Sequence, residues 1–275
     1  MAVAERSESN ERTATITPTS GRRLAALRGI VLWKRHLGLT AGDVLLASYP
    51  KSGNTWLKFM LCHLVSGAEV DFDRSEALCP GVGSHSAAPR VLPNGGRLIK
   101  THEQFRREYK KAVYIVRDGR DVAVSYYYHL LREGHADGPF SDLLPDILAG
   151  KQDAYGTWQG NVASWLDSPL AANGHLCVVR YEDCLSEPTD TLTRVSKFLG
   201  LSADDNAIGE AIAANTAEKM RAKEKSSTTA IKHKHKDIPF VRAATKGGWQ
   251  AMFSEADSAL FESVAGGTLT RLGYR

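Results

Sequence analysis

One stretch of the sequence, YPKSGNTW at residues 49–56, places a cation and several hydrogen-bond donors between two apolar runs. The upstream run, DVLLASY, is short enough for a buried strand, and the downstream run has apolar residues at helical spacing. In such a strand-to-helix turn, Gly53 lets the backbone approach a ligand closely, and Lys51 adds a positive charge to that of the helix start. Further donors come from the side chains of Ser52, Asn54 and Thr55. The turn predicts a cradle for an anion such as phosphate; the alternative is an ordinary helix cap beside a solvated lysine.

Polar clusters also follow the other predicted strands. The apolar runs at 97–100 and 111–117 end in KTHE and VRDGRD, and the run at 175–183 ends in RYED. Strands that alternate with helices predict an α/β fold, with a central, mostly parallel sheet flanked by helices on both faces. Ligands bind such sheets beyond the carboxyl ends of the strands. We therefore expect the clusters to meet in one ligand site.

The elements that position these clusters follow from periodicity and from Gly and Pro. Helices are predicted at 55–65, 121–133, 156–166, 188–201, 206–224 (as one or two helices) and 254–273. Loops are predicted at 66–96, 133–155 and 225–248. We expect residues 22–275 to form a single domain. Residues 1–21 are polar and predict a disordered tail.

Composition limits the classes of partner. A net charge of +4 and a pI near 8.8 are too small for a nucleic-acid-binding arm, but they suit an anionic ligand if the cations cluster. No stretch approaches the roughly 20 apolar residues that a membrane span needs. The four cysteines match no zinc or redox motif, and Cys62 and Cys177 lie in apolar runs. We expect buried thiols, no metal, and a cytoplasmic location.

Taken together, the motifs resemble those of cytosolic-type sulfotransferases that use 3′-phosphoadenosine-5′-phosphosulfate (PAPS). The turn at 49–56 is similar to the family's P-loop-like 5′-phosphosulfate loop, Tyr-Pro-Lys-Ser-Gly-Thr-Thr-Trp, and differs only where Asn54 replaces a threonine. VRDGRDVAVSYYYH at 116–129 is similar to the family's 3′-phosphate element. The resemblance implies that Arg117 and Ser125 converge on that phosphate through charge-assisted contacts.

The resemblance also implies roles for residues near the reacting atoms and the adenine. KTH at 100–102 resembles the segment that holds the family's catalytic histidine, so His102 would be the general base and Lys100 would neutralise charge on the sulfuryl oxygens. Trp56 and Tyr181 match residues that contact adenine, and NTAEKM brings Thr216 to the same side. For each of these aromatics taken alone, core packing is the alternative.

The last matching motif is FVRAATKGGWQ at 240–250. It implies that Arg242 also reaches the 3′-phosphate. The family's following lysine and glycine are here Ala243 and Ala244, so we expect weaker binding of the 3′-phosphate. Lys246 is a candidate to replace the missing positive charge. The basic loop 225–248 is either a solvated segment or a lid.

The implied activity is in-line transfer of a sulfuryl group from PAPS to a hydroxyl or amine, with 3′-phosphoadenosine-5′-phosphate (PAP) as product. Two alternatives stay open at this point: a non-catalytic protein that binds PAP or another nucleotide, and a small-molecule kinase. The kinase would need a glycine loop that ends in Gly-Lys-Ser/Thr, and the chain has none. The acceptor is left open among small molecules, lipids and glycans, as is the oligomeric state.

Overall fold

The computed structural model describes residue 31 and residues 33–227 and 246–274. The predicted tail at 1–21, Arg242, Ala243 and Ala244, and most of the loop at 225–248 lie outside these ranges, so the expectations for them stay predictions. The contacts divide the chain into one unit at 1–37 and another at 38–275. The fold described below is that of the second unit; the domain boundary at residue 22 stays a prediction.

A four-stranded parallel sheet forms the centre of this unit. Its strands are β1 (Val44–Ser48), β2 (Leu98–Thr101), β3 (Ala112–Val116) and β4 (Leu176–Arg180). The order across the sheet is β2-β1-β3-β4, and each neighbouring pair is parallel. Parallel strands need long crossovers, and helices supply them. The predicted α/β class with a central parallel sheet is confirmed.

The two faces of the sheet carry separate apolar clusters, because alternate side chains of a strand point to opposite faces. On β1, Leu46 belongs to one cluster with Leu57 and Met60, whereas Leu45 belongs to another with Trp165. Both faces are therefore covered, and this explains why the strands read as nearly continuous apolar runs.

The helices follow the strands in chain order. Before β4 they are α1 (Asn54–Ser66), α2 (Phe72–Leu78), α3 (Gly119–Glu133), α4 (Phe140–Leu148), α5 (Trp158–Leu166) and α6 (Pro169–Ala172). After β4 come α7 (Tyr181–Ser186), α8 (Pro188–Leu199), α9 (Asp205–Ala213), α10 (Ala217–Ser226) and α11 (Glu255–Arg271). Within the described ranges, no helix is both long enough and apolar enough to cross a bilayer.

Three predicted boundaries are wrong. The loop at 66–96 contains α2, which begins where the Asp71 carboxylate accepts the N–H of Arg74. The loop at 133–155 contains α4; its buried residues recur at helical spacing, but Pro145 lies inside it and masked that signal. The strand predicted at 175–183 ends at Arg180, because Tyr181 begins α7.

The order of the strands creates a crevice between β1 and β3. The chain leaves β1 toward β2 on one side and leaves β3 toward β4 on the other. Such a reversal leaves an opening at the carboxyl ends of the two adjacent strands, where ligands bind. The turn at 49–56 follows β1 and Arg117 follows β3, so both polar clusters lie at this opening.

Candidate active site

The turn after β1 has an unusual backbone at two positions. Gly53 has a φ of 93° and precedes α1. A Cβ atom at Gly53 would lie 2.3 Å from Cδ2 of Tyr181, so no larger residue fits there. Lys51 has a φ of 68° and is the one non-glycine residue with positive φ in the described part of the chain. Strain of this kind in a non-glycine residue is concentrated at functional sites.

The same turn has polar groups that suit an anion. The hydroxyl of Ser52 is buried and has no hydrogen-bond partner among the described residues. The N-cap residue of α1 is Gly53, which has no side chain to accept a hydrogen bond from the first N–H groups of the helix. An orphaned buried hydroxyl beside a helix start is the arrangement that a bound phosphate would complete.

The side chain of Asn54, which the sequence predicts as a phosphate donor, is hydrogen-bonded to β1. Its side-chain amide donates to the carbonyl of Leu46 at 3.0 Å and to Oγ of Ser48 at 3.2 Å. The side chain is therefore directed at β1, and its backbone N–H is the group left at the helix start.

Arg117 joins the turn to the start of α7. Its guanidinium donates to the carbonyl of Lys51 at 3.2 Å and lies over the ring of Tyr181, with Cζ 4.4 Å from the ring centroid. Ser125 lies about two turns further on, on α3. Arg117 and the turn are thus held together, which the predicted phosphate site requires.

Two aromatic side chains lie beside the turn. The rings of Trp56 and Tyr181 meet edge to face, with centroids 6.0 Å apart. The indole of Trp56 donates to the carbonyl of Asn215 at 2.6 Å, and this places it next to Thr216. Thr216 caps α10 by accepting the N–H of Lys219. The residues assigned to adenine by resemblance are therefore brought together.

The imidazole of His102 is oriented by β1. Its Nδ1 lies 2.9 Å from the carbonyl oxygen of Ser48 and 3.3 Å from the Ser48 hydroxyl. A carbonyl oxygen only accepts, so Nδ1 carries the proton and Nε2 keeps its lone pair. The backbone of His102 is also held, because its carbonyl accepts from Asn161, whose Oδ1 accepts from Tyr114.

Cations cluster around this imidazole. Burial, together with the charges of Lys100 and Lys51, lowers the pKa of His102 to about 3, and the hydrogen bond to Ser48 opposes this shift. Burial and the charges of Arg132 and Lys100 together lower the pKa of Lys51 to about 7, and Glu133 opposes them. A bound anion would raise these pKa values again, so the site takes up negative charge readily.

Lys100 has its own electrostatic environment. Burial lowers its pKa, Lys58 lowers it further, and Glu76 opposes both. Lys58 and Glu76 form an ion pair at 2.8 Å. Neither residue is in a recognised motif, and sequence reasoning missed them.

Asp121 anchors the segment that re-enters the described structure at residue 246. Its two carboxylate oxygens accept the N–H groups of Gly247 at 2.8 Å and Trp249 at 2.9 Å. Arg242 lies upstream of this anchor, outside the described residues.

The last turn of α3 carries two charged residues, Arg132 and Glu133, that sequence reasoning missed. We call the side chains of His129, Arg132 and Glu133 the α3 cluster. The cluster interacts electrostatically with Lys51: after burial, Lys51 contributes most to the lowered pKa of His129, and Arg132 lowers the pKa of Lys51. The signal that could have found two of them is spacing. His129 and Arg132 follow Ser125 by four and seven residues, so the three share one helix face.

The arrangement can bind phosphate groups between β1 and β3 and can accept a proton at Nε2 of His102. Within residues 33–227 and 246–274, no group of three or more His, Cys, Asp or Glu side chains is placed to hold a metal ion.

Comparison with known proteins agrees with the resemblance described in the sequence analysis. The family model described as "Sulfotransferase domain" matches residues 41–273. Rat sulfotransferase 1A1 is 27% identical, with 85% of this chain and 86% of the relative covered. Mouse sulfotransferase 1B1 is 26% identical, with 84% of this chain and 85% of the relative covered.

Solved structures share the fold. Mouse sulfotransferase SULT7A1, complexed with PAP, superposes with a TM-score of 0.65 at 20% identity and covers 84% of each chain. Retinol dehydratase, in complex with androsterone and the inactive cofactor PAP, superposes with a TM-score of 0.64 at 19% identity and covers 86% of this chain and 82% of its own. Because the family model spans most of the sequence, the chain belongs to the sulfotransferase domain family.

Proposed function

We propose that this sulfotransferase uses PAPS as donor and that His102 is the general base toward a hydroxyl or amine of the acceptor. One observation carries the proposal: Nδ1 of His102 bonds to the Ser48 carbonyl, so Nε2 is kept as a base beside Lys51 and Lys100. The titles of the structural neighbours, which describe PAP complexes, support the choice of nucleotide.

The residues of the crevice fit an adenine nucleotide that carries both a 5′-phosphate and a 3′-phosphate. Lys51, the Ser52 hydroxyl and the N–H groups of Gly53, Asn54 and Thr55 would hold the 5′-phosphate. Arg117 and Ser125 would hold the 3′-phosphate, and we assign Arg242 to the same group. Trp56, Tyr181 and Thr216 would contact the adenine. When bound, PAPS supplies the sulfuryl group.

His102 removes the proton from the acceptor as the new O–S or N–S bond forms. Its neutral state at pH 7, with a pKa of about 3 before any anion binds, leaves it ready to accept that proton. The anionic donor then raises its pKa, so the imidazolium formed is stabilised. General-base catalysis of this kind contributes about 10²–10⁴-fold.

Lys51 and Lys100 stabilise the charge that moves during transfer. As the bond between sulfur and the 5′-phosphate oxygen breaks, Lys51 and the helix N–H groups meet the charge on that oxygen. Lys100 stabilises the sulfuryl oxygens. Both ammonium groups are desolvated, which makes them stronger partners for an anion than solvated lysines.

The direct test is incubation with radiolabelled PAPS and a panel of phenols, alcohols, amines and saccharides. We expect labelled sulfate on at least one acceptor and release of PAP in equal amount. PAP binding by calorimetry without transfer to any acceptor would instead support the non-catalytic alternative. Binding of ATP in preference to PAP would support a kinase.

The proposal includes a cytoplasmic location and one domain from residue 22 onward, with residues 1–21 as a disordered tail. The location is supported by the cysteines: Cys62, Cys79, Cys177 and Cys184 are all buried free thiols, as a reducing compartment would maintain.

A further inference from the structure

The α3 cluster contains charges of both signs that the proposed mechanism does not use. Arg132 donates to Nδ1 of His129 at 2.9 Å and to Oε1 of Glu133 at 3.1 Å. The Arg132 side chain is only 5% exposed, whereas Glu133 is 24% and His129 33% exposed. The cluster therefore consists of a buried guanidinium bonded to a carboxylate and an imidazole that are both more exposed than it is.

A continuous set of contacts joins this cluster to the general base. The ring of His102 meets the ring of Tyr155 edge to face at 5.6 Å. Asp153 accepts the N–H of Tyr155 and the hydroxyl of Tyr126. The ring of Tyr126 in turn lies 6.1 Å from that of His129. These contacts connect the α3 cluster to His102 through three intervening side chains.

The electrostatics agree with this placement. Arg132 is the largest charged contributor to the lowered pKa of Lys51, and Lys51 likewise lowers the pKa of His129 after burial. The cluster lies on the same helix as Ser125 but about 10 Å further along it at Arg132, at 1.5 Å per residue. It is therefore displaced along α3 from the residue assigned to the 3′-phosphate and interacts electrostatically with Lys51.

The chemistry of the cluster favours hydroxyl groups over apolar surface or net charge. Arg132 only donates, and Glu133 accepts. Because Arg132 donates to Nδ1 of His129, Nε2 of that ring carries the proton and is a further donor. Arg132 and Glu133 cancel each other's charge, and an apolar acceptor placed against them would leave polar groups desolvated without compensation.

We propose that the α3 cluster is an acceptor subsite for a polyhydroxylated molecule, such as a saccharide or polyol, with adjacent hydroxyls bonded to His129, Arg132 and Glu133. This inference rests on the proposed sulfuryl transfer. One hydroxyl of the acceptor loses its proton to Nε2 of His102 and forms the O–S bond, while the bond from sulfur to the 5′-phosphate oxygen breaks and PAP leaves. The face of Tyr155 packs against the sugar ring.

The first test compares acceptor classes with the full chain and PAPS. The panel contains glucose, N-acetylglucosamine, maltohexaose and inositol on one side and 2-naphthol and cyclohexanol on the other. We expect kcat/KM for the best polyhydroxylated acceptor to exceed that for either apolar alcohol by at least about tenfold. Preferential sulfation of 2-naphthol or cyclohexanol overturns the inference but leaves the proposed function intact. Absence of transfer to all six acceptors, with PAP bound, also overturns it.

The second test uses Arg132→Met and Glu133→Gln, with Arg74→Met and Glu255→Gln as matched exposed controls. Both site variants should raise KM for the polyhydroxylated acceptor by about tenfold or more, and PAP affinity should persist. An unchanged KM in both overturns the subsite. If Arg132→Met fails to fold, as its thermal unfolding would reveal, the more exposed Glu133→Gln decides alone. If the unmodified chain does not bind PAP, the proposed function itself is contradicted.

Discussion

The two ends of the proposed active site are built in different ways. At the nucleotide end, the turn at 49–56 has a strained backbone at Lys51 and a buried Ser52 hydroxyl without a partner. At the acceptor end, the α3 cluster is bonded within itself through Arg132. A contiguous turn must satisfy its own backbone geometry, so it leaves a motif in the sequence. The α3 cluster lies within a regular helix, whose backbone makes no such demand, so it leaves only helical spacing in the sequence.

The largest expected effect separates chemistry from nucleotide binding. His102→Ala should lower kcat by about 10²–10⁴-fold, because no other group accepts the acceptor's proton. PAP affinity should be unchanged, because His102 touches β1 and not the residues assigned to the phosphates. The matched control is His175→Ala, since that side chain is exposed in front of β4. Equal losses of turnover and PAP binding would contradict the role as base.

The next effect is confined to the nucleotide end. Gly53→Ala puts a side chain at φ 93°, which costs about 1–2 kcal/mol, and the contact with Tyr181 costs about 1–3 kcal/mol more. We expect a lower unfolding midpoint in urea and loss of PAP binding. Gly174→Ala is the control, because φ there is 72° and nothing lies within 4 Å of the added Cβ. Equal destabilisation by both substitutions would show that the close contact with Tyr181 does not matter.

A smaller effect concerns the anchor of the segment that follows Arg242. The two carboxylate oxygens of Asp121 accept the N–H groups of Gly247 and Trp249, and an asparagine has only one oxygen that can accept. We expect Asp121→Asn to weaken the anchor by about 1–2 kcal/mol. PAP affinity should fall by about tenfold, since 1.4 kcal/mol corresponds to that factor. Calorimetry would measure it, with Asp167→Asn, an exposed partner of Arg271, as control. Unchanged affinity would mean that this anchor does not contribute to the nucleotide site.

The smallest effect tests whether the two ends communicate through charge. With a pKa of about 7, Lys51 is about half protonated at pH 7, and bound PAP raises that pKa. Binding should therefore take up about half a proton at pH 7, and affinity should fall as pH rises above 7. Calorimetry in buffers of different ionisation enthalpy measures the uptake. It should vanish in Lys51→Met and decrease in Arg132→Met, since Arg132 holds the pKa down; uptake unaffected by either substitution would refute the assignment.

The α/β class and the four strands could be predicted because the strands are apolar runs bounded by polar residues. Sequence motifs also singled out Arg117 and Tyr181, and the structure brings both residues to the turn. The direction of the Asn54 side chain could not be predicted, because it depends on where β1 lies. Nor could the path of contacts from the α3 cluster to His102, since it passes through Tyr155 and Asp153, which are distant in sequence.

The left-handed backbone at Lys51 has a consequence for engineering. A lysine in that conformation costs about 1–2 kcal/mol, whereas glycine adopts it without penalty. A library selected only for heat resistance should therefore drift toward glycine at this position and discard the ammonium that we assign to the 5′-phosphate. Durability and turnover compete for one residue here, so directed evolution of this enzyme needs an activity screen at every round.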